Sequence, residues 1–194
     1  MPWERRFDED EVLNKAMELF WQRGYKGVSM SELVAELGVN RSSLYATYGQ
    51  KEDLFLRALV HYDQVHRQDW LAGLRDRFGP IESIRQAFGE VAEAPENFRR
   101  LGCLLVNTST EVASVHPTFS TLVREAFDAT ERFFEDQLDL AKRADELPAE
   151  VDTTALAAAL MALFLGMRVL ARADRPAEAI KPILHQVDTM LHAA

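Results

Sequence analysis

Apolar residues recur at helical spacing along almost the whole chain, and the interruptions are glycines, prolines and short polar caps rather than alternating runs. Between Asp8 and Arg23, Val12, Ala16, Leu19 and Phe20 share one face. Acids at Asp8, Glu9, Asp10 and Glu11 fill the first turn, where they favour the positive end of a helix, and Gly24 offers a left-handed stop. Ser29-Met30-Ser31-Glu32 has the spacing of a capping box, so a second helix is expected from about Met30, with Met30, Leu33, Val34 and Leu37 inward. Gly38 permits a sharp turn, and Asn40 caps a third helix from Arg41 to about Thr47. That helix places Leu44 and Tyr48 inward at i and i+4 and turns Arg41, Ser42, Ser43 and Tyr45 outward. Two short helices joined by a glycine-bearing turn have helix-turn-helix spacing.

The remainder reads as longer helices. Lys51 to Arg77 carries a stripe from Leu54 to Trp70 and ends at Phe78-Gly79-Pro80. Ile81 to Ala94 follows, then a helix opened by Leu101 or Gly102 and running to about Val115, then Thr118 to Arg143. Past a hinge at Asp145-Glu146-Leu147-Pro148, Thr153 to Arg172 is apolar almost all round, with alanines at Ala155, Ala157, Ala158, Ala159 and Ala162. A helix with two apolar faces needs two partners, one in its own core and one in a second subunit, and alanines allow close approach. Pro176 to His192 closes the chain with Ile180, Ile183, Leu184, Val187 and Leu191 as a stripe. The expected fold is all-α: a three-helix head, residues 1–50, and a six-helix body, residues 51–194.

Composition narrows the setting. The 194 residues are 47% hydrophobic and 27% charged, as in an ordinary folded protein. Met1 to Asp10 is charged, without the apolar core of a secretory signal, so a cytoplasmic location is expected. The apolar stretch Thr153 to Met167 is about fifteen residues before Arg168, against the roughly 20 a membrane span needs, and is read as buried helix with no membrane partner. One cysteine, Cys103, excludes an internal disulfide. Lys and Arg number 22 against 31 Asp and Glu, a net charge of −9, which speaks against indiscriminate attraction to polyanions. Two local stretches carry bases without acids: Leu19 to Ser31 with Arg23 and Lys26, and Gly38 to Lys51 with Arg41 and Lys51.

The segment Glu18 to Phe55, ELFWQRGYKGVSMSELVAELGVNRSSLYATYGQKEDLF, resembles the amino-terminal DNA-binding domain of the TetR/AcrR repressors. The tyrosine of RGY, the VSM start of the second helix, the GVN turn, the SSLYxxY helix and the KEDLF opening fall in register. The resemblance implies that Arg41, Ser42, Ser43 and Tyr45 face the major groove and its phosphates and that Lys51 grips the backbone. Ser29 and Tyr48 complete the DNA-binding set, although Tyr48 also reads as core. It implies further that the helices 153–172 and 176–192 pair with their symmetry mates, giving a homodimer that places two recognition helices in successive major grooves of a near-palindromic operator, roughly 34–36 Å apart. The residue types suit this, since Arg, Lys, Ser and Tyr donate to phosphates and Arg addresses guanine bidentately. Ser42, Ser43 and Gln50 depart from common family residues, which leaves the preferred operator sequence open.

For the signal, Cys103 follows Arg99 and Arg100 near an expected helix start, where a thiolate is favoured; the competing reading is a small packing side chain. Asn107 and Glu111 follow at i+4 and i+8 and are candidates for the same effector or redox site, and Trp70, Phe88, Phe127 and Phe134 are further candidates for lining a small-molecule effector pocket, or ordinary core. His61 and His66 are five apart and no ligand spacing for a metal occurs, so neither metal nor other cofactor is expected. No nucleophile, base and orienting group are spaced as a catalytic set, so enzymatic activity is not expected. The rival reading is a helical small-molecule carrier or bundle enzyme with a vestigial head.

Overall fold

Local caps set the first three helices. The computed structural model describes residues 7–193; residues 1–6, the start of the charged amino-terminal segment, and residue 194 lie outside it. In α1 (Glu9–Arg23) the Asp8 carboxylate accepts from the amides of Asp10 (2.9 Å) and Glu11 (3.2 Å), satisfying donors that have no partner within the helix. Gly24 ends it at φ 76° with its amide donating to Phe20 O. Ser29 and Glu32 form the full capping box at the start of α2 (Met30–Leu37), and Gly38 turns the chain at φ 66°. Asn40 caps α3 (Arg41–Tyr48) by accepting from the Ser43 amide at 2.8 Å.

From there α4 (Lys51–Tyr62), a π-helical turn (Asp63–Gln68) and α5 (Asp69–Arg77) run on as one helical rod, as the stripe from Leu54 to Trp70 requires. The π turn departs from the uniform helix expected over Lys51 to Arg77. Its physical accompaniment is the buried Asp63 carboxylate, which takes Arg67 through two guanidinium nitrogens and Gln68 Nε2 at 2.6 Å. Donors at i+4 and i+5 converge on one acid, and the widened turn accommodates both.

The body continues through α6 (Pro80–Glu93), the single turn α7 (Glu96–Arg99), α8 (Leu104–Glu111), a 3-10 turn (Ala113–Val115), α9 (Pro117–Arg143), α10 (Thr153–Arg172) and α11 (Ala177–Ala193). The expected helix from Leu101 or Gly102 to Val115 is corrected here. Gly102 sits at φ 67° and Cys103 is extended (φ −120°, ψ 128°), so the helix starts at Leu104; it stops at Glu111. No strand occurs among the described residues.

Two apolar clusters hold the molecule. The first joins α1 to α4 with α8 and the start of α9, around Phe20, Leu33, Leu44, Phe55, Leu104 and Phe119. The second joins α5, α6, the rest of α9, α10 and α11, around Phe88, Phe134, Leu160 and Met167. The 27-residue α9 crosses both and braces the amino-terminal helices against the rest. Helix α10 has a mean hydropathy of 1.9 over its most apolar window and the length and composition of a membrane span, yet one side packs on α9 and α11. Only 33% of that window is buried within the chain, and Val169 is exposed.

Candidate DNA interface and effector cleft

Helix α3 presents a short outward face. Arg41 is exposed, its guanidinium 5.6 Å from the Tyr45 ring centre, and Ser42 is exposed beside it. The Ser42 hydroxyl donates to Asn40 Oδ1 (2.8 Å), which also receives the Ser43 amide, so one cap holds both serines in place. No acid lies in the first turn of α3. Ser29 is exposed, but its hydroxyl donates to Glu32 Oε2 (2.7 Å) and accepts from the Glu32 amide (3.2 Å), so it serves the helix start. That hydroxyl bond, then the Ser29 amide donating to the same carboxylate at 2.8 Å, holds the Glu32 carboxyl below its ordinary pKa.

Two members of the expected set sit differently. Tyr48 is buried and its hydroxyl donates to Glu9 O at 2.7 Å; it locks α3 to α1 and leaves the outward face. Burial pushes its phenol above the ordinary range. Lys51 opens α4 half-buried, its ammonium 4.2 Å from the Tyr25 ring centre. Burial pulls its pKa down, against the opposing pull of Glu111 and Glu32. To reach a phosphate it must leave that ring. Arg57, which sequence reasoning passed over as part of a connecting helix, borders a surface hollow with Ser42, Ser43, Ala46 and Thr47 and adds a base beside α3. Arg23 is paired with Glu36 at 3.0 Å, so one of the two bases in its acid-free stretch is locally neutralised.

In the body, Cys103, Asn107 and Glu111 do not form one site. Eight residues of helix climb about 12 Å, so a common stripe meets different neighbours at its two ends. Cys103 is the half-buried residue before α8, its thiol against the Tyr62 hydroxyl, whose pKa burial drives well above 10. It borders a space of only about 30 Å³ with Phe127 and Phe164, room for a single water. Asn107 closes the preceding loop, its Nδ2 donating to Leu101 O at 3.0 Å. Glu111 reaches the head instead: its carboxylate accepts from the amides of Tyr25 (3.1 Å) and Lys26 (2.7 Å). Arg172 makes a second tie, from α10 to the carbonyls of Trp21 (3.3 Å) and Gln22 (3.4 Å) at the end of α1 and to Leu101 O (3.1 Å). Phe88 and Phe134 are fully buried core.

A roomier cleft of about 430 Å³ opens between α1, the π turn, α5, α6, α7 and α10, and it holds Trp21, His66, Trp70, Phe98 and Arg168. Of these only Trp70 was singled out from sequence as a pocket residue. The others come from distant helices, and no local spacing announces them.

Comparison with known proteins places this arrangement. Residues 12–58 match the family described as bacterial regulatory proteins, tetR family, and residues 80–187 match the tetracyclin repressor-like C-terminal domain. An uncharacterised HTH-type transcriptional regulator of Bacillus subtilis (strain 168), YezE, is 33% identical over 172 residues, covering 87% of this chain and 88% of that protein. The HTH-type transcriptional repressor ComR of Escherichia coli (strain K12) is 29% identical over 182 residues, covering 91% and 85%. Among solved structures, a three-cysteine mutant of the TetR family regulator CifR complexed with 26-bp double-strand operator DNA superposes with a TM-score of 0.77 at 29% identity, over 98% of each chain. With both halves matched, with relatives spanning nearly its full length and with the capped helix-turn-helix in place, the chain belongs to the TetR family of bacterial transcriptional regulators.

Proposed function

We propose that the protein is a cytoplasmic repressor that acts as a homodimer, with residues 1–50 reading a near-palindromic operator and residues 51–194 receiving the releasing signal. The observation that carries this reading is the outward face of α3, where Arg41, Ser42, Ser43 and Tyr45 stand clear of the core behind the Asn40 cap. Arg41 is the base reader, and Lys51 and the α3 amides supply phosphate contacts. The operator complex of CifR supports the DNA partner. Dimerisation through the helices 153–172 and 176–192 is supported by the exposed small and apolar positions Ala155, Ala158, Ala162, Gly166 and Val169 along α10. A regulatory rather than enzymatic role is what the matched family supports.

Release is assigned to a small molecule in the body or to modification of Cys103. Support for the first is the 430 Å³ cleft touching α1 and the π turn. The second is supported by the position of the thiol between α8 and the Tyr62 hydroxyl, one residue before the π turn. Both abut the rod that begins at Lys51, and a coupling of about 1–3 kcal/mol changes operator affinity some 5- to 150-fold.

The test is selection of bound sequences from random DNA by the purified protein, followed by gel retardation with Arg41→Ala. Loss of specific retardation with an unchanged dimer mass in light scattering is expected. Retention of no oligonucleotide at low ionic strength removes the repressor reading, and a Cys103 thiol that mass spectrometry finds inert to mild oxidant and maleimide removes the thiol route.

A further inference from the structure

Two residues that line the 430 Å³ cleft each carry a buried donor without an acceptor. Trp21 is 7% exposed, and its indole Nε1 has no hydrogen-bond partner; neither has Nε of Arg168. Among the described residues no others share this condition. Buried donors are paired in nearly all folded proteins, so two at one cleft, from helices at opposite ends of the chain, indicate an acceptor that the chain does not supply. No carboxylate among the described residues pairs with Arg168; its guanidinium lies 5.0 Å from the Phe164 ring centre and 5.7 Å from that of Trp70. Glu90 is the one acid lining the cleft, and both its oxygens are engaged, by Trp70 Nε1 (2.5 Å) and Arg77 Nη2 (3.2 Å). Arg99 stands at the cleft as well. Positive groups therefore outnumber free negative ones, while the His66 imidazole and indole, phenyl and aliphatic side chains form most of the rest of the wall.

We propose that this cleft binds a small organic acid, a carboxylate on an aromatic body, with the acid group taken by the Trp21 indole N–H and the Arg168 guanidinium. The volume lies within the range of small-ligand sites, and a few polar groups in an apolar wall are their usual chemistry. The assignment rests on the effector reading above and gives it a ligand class and a route. Trp21 belongs to the reading head, and its carbonyl is one of those held by Arg172 from α10. An acid joining Trp21 to Arg168 favours whichever relation of α1 to α10 the bound geometry needs, and only such differential affinity shifts a conformational equilibrium.

The experiment is titration calorimetry of the full chain with indole-3-acetate and phenylacetate against their neutral amides. Each acid is expected to bind about tenfold or more tightly than its amide, the worth of one hydrogen bond to a charged group. Arg168→Gln is expected to lose the same factor, and Trp21→Phe, which keeps the ring and removes the N–H, several-fold. Circular dichroism checks that the variants fold, and the acid-to-amide ratio on the unaltered chain stands even where one does not. No binding of either acid at millimolar concentration, equal binding of acid and amide, or full acid affinity in folded Arg168→Gln overturns the proposal. Gel retardation is read separately: acids that bind without releasing DNA retire the switch and leave the site, whereas release by other compounds with no acid bound retires the site and leaves the switch.

Discussion

Replacing Glu111 by alanine removes the carboxylate that ties α8 to the two residues following Gly24. Two backbone amides, Tyr25 at 3.1 Å and Lys26 at 2.7 Å, lose their acceptor. Hydrogen bonds to a charged group contribute about 1.5–3 kcal/mol each. The Lys26 amide is exposed and recovers water, so the pair counts for little more than one such bond. Against this, Glu111 is the last residue of α8, where a negative charge opposes the helix dipole by about 0.3–1 kcal/mol, and alanine relieves that. The expected net loss is about 1–2 kcal/mol. With a urea slope of about 2 kcal/mol/M for a chain of this size, the midpoint falls by about 0.5–1 M. The measurement is urea unfolding by circular dichroism at one fixed protein concentration, since dimerisation would make the midpoint concentration-dependent. Glu111→Gln keeps one acceptor oxygen and is expected between the two. A Glu111→Ala midpoint indistinguishable from the unaltered chain would falsify the clamp.

Two further outcomes follow from local chemistry. Asn40→Ala strips the cap from α3 and should cost about 1 kcal/mol in urea unfolding; Asn40→Asp should recover the stability but repel phosphate, so retardation of selected DNA stays weak, and full DNA binding by Asn40→Asp would argue that the cap lies away from the duplex. The pKa of His66 is lowered below 6.5 by burial, then by His61 and Arg168, so the folded chain keeps it neutral where the unfolded chain is protonated. Its contribution is present above about pH 6.5 and is lost as pH falls through the folded value, so the urea midpoint should drop on acidification towards about pH 5. His66→Gln should flatten that drop, and an unchanged slope would assign it to other groups.

The starts of the first three helices were legible because their causes are local. Asp8, Ser29 and Asn40 each bond an amide two or three residues ahead, so cap and helix are written in the same few positions. The bounds of α10, Thr153 to Arg172, were readable for the same reason, with Asp152 capping the Ala155 amide. The spacing of Cys103, Asn107 and Glu111 made them candidates for one site, yet periodicity says nothing about what a face meets. Tertiary packing sent its far end to the head and its near end to Tyr62. The π turn depended on Asp63 being buried, which no 3.6-residue pattern specifies.

Sequence alone determined the punctuated run of helices, the outward Arg41-Ser42-Ser43 face and the surplus of apolar surface on α10, because each depends on residues within a turn or two of one another. Only the folded chain brought Trp21 and Arg168, 147 positions apart, to the walls of one cleft. That meeting depends on how six helical segments pack together, and packing is a property of faces in contact rather than of any stretch of residues.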